Sequence, residues 1–295
     1  MEKNFLTLSP FTKSATFREL QANPLGFIDV GARGGIHSVV EPLSRITAVL
    51  AFEPDAAECD RLQKTETAFA HFKVEPKALG KDFRKSSLHI LKNSVNSSLL
   101  HPNLNFAKRY QNSGYELLSI EEVETHSLDE LLSSRNDGFI WGELIKLDVQ
   151  GAELDILMGA KNLLQETTVA AIIEVEFCHL YNKQPLFSEV EQFMRSQGFT
   201  FYGFMNCNYR SSSLRNLIEL KNTQWQERLI HADAVWFKDP FDGDVKFSDR
   251  NYHTLFASAL LLGYFDLAAE ILKHGLKYDE SHLEMLNFIE QLAIT

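Results

Sequence analysis

Short runs of consecutive apolar residues, each closed by a turn and followed by a helical pattern, recur along most of this chain. Residues 26–30 (GFIDV) predict a buried strand that runs straight into glycines. Residues 48–52 (AVLAF) predict a second strand, stopped at Glu53-Pro54 because proline cannot donate to a ladder. Residues 55–69 have helical composition, with Leu62 and Phe69 on the apolar face, and weaker strands are expected at 72–74 and 88–91. The run 144–149 (LIKLDV) is a firmer strand, and 152–164 reads as one helix carrying Leu154, Leu157, Met158 and Leu164. Residues 169–175 (VAAIIEV) are apolar on both faces, as a central parallel strand covered by helices on each side requires. Ser188 is expected to open a helix through a capping box with Glu191, and Gly198 to close it. Two aromatic-rich strands, 199–204 and 232–237, end the series. The pattern is that of an α/β, doubly wound sheet of about seven strands finished by an antiparallel hairpin.

The texture changes after Asp239. Pro240, Gly243 and several aspartates make a linker, and 252–295 reads as helical throughout. Two apolar helical faces meet at Gly263 and Asp266, like a single helix-turn-helix unit of the tetratricopeptide type. Such a unit cannot bury its own face, so it is expected to pack on the main domain or, failing that, on a protein partner. The chain therefore divides into a lead-in (1–24), a main domain (25–240) and a small α-helical C-terminal extension (241–295).

Composition removes other classes. With 44% hydrophobic and 23% charged residues the chain is of ordinary globular type, and its apolar runs are too short for a membrane span. A net charge of −11 opposes nucleic-acid binding through phosphates. Cys59, Cys178 and Cys207 form no CxxC pair, which fits a reducing cytoplasm rather than a zinc or disulfide framework.

The chemistry sits at strand ends. The first strand enters Asp29-Val-Gly31-Ala-Arg-Gly34-Gly35, where missing Cβ atoms permit a sharp turn and close approach of a ligand. Glu53 ends the second strand, where a carboxylate can accept both hydroxyls of a ribose. The glycines do not match the G-x-G-x-x-G spacing of a dinucleotide site, and Asp29 would repel a pyrophosphate. S-adenosylmethionine, with an amino group, a sulfonium, a ribose and no phosphate, suits such a loop. A second stretch, Ile145-Lys-Leu-Asp148-Val-Gln-Gly151-Ala-Glu153, continues to Leu157, Gly159 and Ala160 and places Asp148 at the same sheet edge.

Together the two stretches resemble class I methyltransferases of the FkbM family, which share a D-V-G-A-x-x-G start and a later I-K-x-D-x-x-G-x-E-x-x-x-L-x-G-A run. The resemblance covers about residues 25–237, with weaker matches at 78–80, 97–99, 127–132 and 172–174. Arg33-Gly34 and Gln150 depart from the family's usual residues. The resemblance implies a Rossmann-like fold and methyl transfer from S-adenosylmethionine, usually to a hydroxyl of a sugar, glycan or polyketide-like small molecule. By that likeness Asp29, Gly31 and Gly35 line the methionine end, Glu53 holds the ribose, and Ala78 or Leu79 borders the adenine. By the same likeness Asp148 is expected against the methionine amino group or the acceptor.

A hydroxyl acceptor benefits from a base, and Asp148, Glu174, Glu176 and His179 all follow or end the strands at this edge. Asp148, Glu176 and His179 are taken as the catalytic candidates; Asp148 with Glu174 or Glu176 as metal ligands is the lesser alternative, and no metal is assigned. Loops at about 92–126 and 205–230, the second containing Trp225, are expected to shape the acceptor pocket. The competing readings are a nicotinamide-dependent oxidoreductase and a non-catalytic binding module whose C-terminal helices recruit a protein.

Overall fold

A computed structural model describes residues 9–209, 227–242, 246–279 and 281–294; Trp225 and the rest of 210–226 lie outside the described residues. Two short helices, α1 (Ser9–Lys13) and α2 (Ala15–Ala22), precede β1 (Leu25–Val30). A 3-10 segment at Ser38–Ile46 leads into β2 (Thr47–Phe52), α3 (Ala56–Gln63) and β3 (His71–Glu75). The chain continues through β4 (Ala78–Leu79), β5 (Arg84–Leu91), α4 (Leu104–Arg109), β6 (Leu117–His126) and α5 (Leu128–Ser133). It then returns to the main sheet with β7 (Leu144–Leu147), α6 (Glu153–Met158), α7 (Lys161–Glu166) and β8 (Ala170–Glu176). Next come α8 (Phe187–Ser196), β9 (Thr200–Tyr209) and β10 (Leu229–Phe237). The last helices are α9 (Asp249–Leu262), α10 (Phe265–Glu270) and α11 (His282–Ile294).

The main sheet has seven strands in the order β3-β2-β1-β7-β8-β10-β9. From β3 to β8 the pairs are parallel, while β10 runs antiparallel to β8 and to β9. This is the doubly wound sheet with a terminal hairpin that the apolar runs predict. The chain winds outward from β1 to β3 and then starts again at β7 beside β1. That switch opens a crevice at the carboxyl ends of β1 and β7.

Alternate residues of the central strands feed two cores. On one face Phe27, Val49 and Leu144 pack with Phe11 and Leu20 from the first two helices and with Leu255, Phe256 and Leu260 from α9. On the other, Ile28, Leu50 and Ile145 pack with Ile156, Leu157, Val190 and Met194 from α6 and α8. The C-terminal helices thus spend their apolar faces on the main sheet. Among the described residues no helix is long and apolar enough to cross a membrane.

Local departures from the expected pattern have identifiable causes. The strand expected at 88–91 spans residues 84–91 and belongs to a separate three-stranded sheet, β4-β6-β5. The helix expected at 152–164 is broken at Gly159, where a Cβ would lie 2.4 Å from the Gly80 carbonyl oxygen. That backbone contact holds the start of the small sheet against α6. The α3 helix stops at Gln63, whose side chain turns to accept from Val74 N at 2.9 Å. In α8 the carboxylate that reaches back is Glu189, accepting from Leu186 N, while Glu191 pairs with Arg195 instead.

Candidate active site

The crevice holds a cavity of about 330 Å³ bounded by the ends of β1, β2, β7 and β8, by the small sheet and by residues 94–99. Its size falls in the usual range for small-molecule sites. The β1 turn sets its floor. Gly31 has φ +84°, and a Cβ there would lie 1.9 Å from the Asp148 carbonyl oxygen. Asp148 N in turn donates to Val30 O at 3.1 Å, so the ends of β1 and β7 are locked together by backbone alone.

Several predicted residues meet here and others do not. Gly31, Glu53, Ala78, Leu79 and Asp148 all line the cavity. Asp29 lies just beneath it, 1% exposed; Oδ2 accepts from His37 N at 2.8 Å, and Oδ1 accepts no hydrogen bond from the described residues. Gly35 is elsewhere, in a depression beside Gly34, Arg61 and Glu66, so it serves the turn and not the cavity wall. Glu176 is 2% exposed and points into the protein behind Glu174. His179 is exposed beside Asn103, Arg109 and Arg228 in a shallow separate depression. Its carbonyl oxygen accepts from Asn103 Nδ2, a bond that follows the chain turning away after β8. Neither Glu176 nor His179 lines the cavity, which corrects the expectation drawn from their nearness in sequence to the strand end.

At the end of β2, Glu53 Oε1 accepts from Asp55 N at 2.9 Å and from Arg33 at 3.2 Å. Oε2 accepts from no described residue. Burial raises the Glu53 carboxyl pKa against the pull of Asp55 N and Arg33. Arg33, one of the two departures from the family pattern, therefore acts by tying Glu53 and Asp55 together.

The other end is a chain of charges. Lys146 Nζ lies 3.3 Å from Asp148 Oδ2 and 3.9 Å from Asp29 Oδ1. Burial alone would depress the Lys146 pKa, but Asp29 and Asp148 outweigh it and hold the ammonium charged. Burial likewise opposes the Asp148 charge, and Lys146 overcomes that, leaving its pKa below the usual value. Glu174 is driven the other way, well above the ordinary carboxyl value, by burial and by Asp148 and Glu176. Asp148 and Glu174 thus share one negative charge.

Gln150 spans that pair. It sits at φ +61°, and its Nε2 donates to Asp148 Oδ1 and Glu174 Oε2, each at 2.8 Å. Its Oε1 accepts from the Tyr181 hydroxyl at 3.0 Å. A glutamate at this position has no amide donor to bridge two carboxyl groups, so the second departure also has a physical reason.

Nothing in the residue pattern singles out His231, yet β10 delivers it to the cavity wall with Nδ1 2.9 Å from Glu174 Oε1. The signal would have been register: antiparallel pairing sets His231 opposite Glu176 and Asp233 opposite Glu174. Behind the wall, one carboxylate oxygen each of Glu153, Glu174 and Glu176 lie within 4.8 Å of one another. Glu153 Oε1 is already committed to Val149 N and Gly151 N, and burial raises all three pKa values, that of Glu153 to about 7.

The chain matches the sequence model of the methyltransferase FkbM domain over residues 29–201. No curated protein matches it. Among solved structures it is similar to a methyltransferase FkbM from Methylobacillus flagellatus, at 14% identity and a TM-score of 0.39 over 72% of this chain. That match covers 43% of the Methylobacillus chain, so this protein spans less than half of its length. A precorrin-6y C5,15-methyltransferase from Geobacter metallireducens matches at 8% identity, with a TM-score of 0.34 and coverage of 75% of this chain and 87% of that one. A magnesium protoporphyrin IX methyltransferase from Synechocystis, solved with S-adenosylmethionine bound, matches at 12% identity, a TM-score of 0.31, and 79% and 82% coverage. Such distant likenesses carry no argument by themselves, and the domain match carries the family assignment.

Proposed function

Because the chain belongs to the FkbM methyltransferase family, we propose that it transfers a methyl group from S-adenosylmethionine to a hydroxyl of a sugar, glycan or polyketide-like small molecule. The observation that carries this reading is the convergence of Gly31, Glu53, Leu79 and Asp148 on one cavity at the strand switch. When bound there, S-adenosylmethionine would supply an electrophilic methyl group on a sulfonium. The residues fit it. Glu53 presents an uncommitted carboxylate oxygen to ribose hydroxyls, and Ala78, Leu79 and Ile156 offer an apolar wall to adenine. Asp148 presents a negative charge to the amino group, and the Asp29 oxygen that accepts no hydrogen bond from the described residues adds to the negative field below it. The chain's own part is to hold cofactor and acceptor in line, which lowers the barrier by removing the entropy of their encounter.

The cavity and its walls lie within residues 25–240, which we take as the methyltransferase unit, with 1–24 as lead-in and 241–295 as the helical extension. The free thiols of all three cysteines support a cytoplasmic setting. Calorimetry with S-adenosylmethionine and S-adenosylhomocysteine tests the cofactor, with binding expected near the micromolar range, about −8 kcal/mol. Heat with NAD and none with either sulfur compound would favour the oxidoreductase reading. A methyl-transfer screen over glycan, polyketide and peptide acceptors with mass detection tests the acceptor class.

A further inference from the structure

We infer that His231, held by Glu174, is the base that takes the proton from the acceptor hydroxyl at the inner wall of the cavity. This rests on the hydroxyl-methylation reading above and deepens it. His231 lines the cavity, and its Nδ1 lies 2.9 Å from Glu174 Oε1. Glu174 is itself fixed, because its other oxygen accepts from Gln150 Nε2 at 2.8 Å and Gln150 is pinned by the Tyr181 hydroxyl. Glu174 shares its proton with the Asp148 carboxylate beside it, so its Oε1 is left to accept from His231 Nδ1–H, and that tautomer leaves the Nε2 lone pair for the cavity. Among the described residues no group donates to Nε2. This is the general arrangement of a base oriented by a third group.

The surroundings set the charge state. Asp148 and Gln150 face His231 from the end of β7, Glu174 and Glu176 from β8, Asn208 from β9, and Asp233 stands two residues along its own strand. Burial lowers the imidazole pKa, with Asp148 and Asp233 opposing it. The ring is therefore neutral, and able to accept a proton, at neutral pH. Asp148 and Glu174 hold one negative charge between them, close to where the imidazolium would form.

The acceptor oxygen forms the new O–C bond while the C–S bond breaks, its electron pair leaving on sulfur. The hydroxyl proton passes to His231 Nε2 and from there to solvent once the products leave. Neither Glu176 nor the exposed His179 is placed to receive it.

The test uses the full-length enzyme, with methyl glycosides and simple aliphatic alcohols as probes and 4-nitrophenol, whose hydroxyl ionises near neutral pH, as a second kind of acceptor. His231→Gln is expected to bind S-adenosylhomocysteine as the wild type does, yet lose at least about 100-fold in kcat on an aliphatic hydroxyl. Its loss on 4-nitrophenol should be far smaller, a contrast that a merely structural role would not produce. The wild-type rate should fall as pH drops through a value below the ordinary histidine pKa, and that limb should vanish in His231→Gln. Glu174→Gln should move the limb, and His179→Gln should leave rate and profile unchanged. A His231→Gln enzyme with wild-type kcat and pH profile overturns the base while leaving methyl transfer intact. If the wild type binds S-adenosylhomocysteine but methylates no hydroxyl probe, the hydroxyl reading itself fails and the base falls with it.

Discussion

Strand β7 carries buried charge at both ends, and the two ends are built differently. At its start, Glu143 accepts two bonds from Arg250, each at 2.7 Å, and a third from Gly26 N. Arg250 spends its remaining donors on Glu19 and on the carbonyl oxygens of Asn23 and Pro24. All five guanidinium N–H groups are thereby satisfied, and α9 is fastened to α2 and to the sheet. At the other end, Lys146 serves two carboxylates, stands 3.9 Å from one of them, and leaves Asp29 Oδ1 without a hydrogen bond from the described residues. Both ends bear the desolvation cost of buried ions, but only the first recovers it through complete pairing. The incomplete end faces the cavity. A ligand with polar and cationic groups can complete there what the protein leaves undone.

Three variants probe that contrast. The largest effect is expected at the closed end: Arg250→Ala should cost about 3–5 kcal/mol of stability, because it strands the Glu143 carboxylate in the core. Denaturant unfolding would show the loss, and affinity for S-adenosylhomocysteine in the folded fraction should be unchanged. If binding falls and stability does not, the two ends have been assigned the wrong way round. Next is the cluster behind the open end. Burial lifts the Glu153 pKa to about 7, so the folded state holds this proton more tightly than the unfolded state does. Stability from Glu153 is full below the unfolded carboxyl pKa and is lost as pH rises through about 7, a swing of up to about 3 kcal/mol. Glu153→Gln keeps the acceptor for Val149 N and Gly151 N and should flatten the fall in unfolding midpoint between about pH 5 and about pH 8. The smallest effect is at the end of β2, the proposed ribose site, where Glu53→Gln should weaken S-adenosylhomocysteine about tenfold, or about 1.4 kcal/mol, by calorimetry. An unchanged affinity would mean that Glu53 serves only to anchor Arg33.

The sheet was legible because its central strands are buried on both faces and therefore read as unbroken apolar runs, from GFIDV to VAAIIEV. Strand β6 was not, since LLSIEEVETH is largely exposed and carries little contrast between its faces. The break at Gly159 depends on a carbonyl oxygen from Gly80, which lies far away in sequence. The same physics divides the site residues. Gly31, Glu53 and Asp148 sit at the ends of parallel strands, where the fold itself predicts a ligand. His231 sits at the beginning of a reversed strand, and only the pairing of β10 with β8 brings it to Glu174. His179 looked well placed because it follows a strand end, yet position along the chain after a strand says nothing about which way the chain then turns.

The covering of one sheet face by α9 to α11 also has a consequence for how this chain is made. Phe27 of β1 and Val49 of β2 share a core with Leu255, Phe256, Leu260 and Ile271. Their partners are synthesised more than two hundred residues later. Until residues 249–294 emerge, the half-built sheet must carry an uncovered apolar face, the kind of surface that invites association in incomplete chains. Burial of β1 and β2 therefore waits on α9 to α11, so chains stalled before residue 249 should be a chaperone's clients in a way that chains past residue 294 are not.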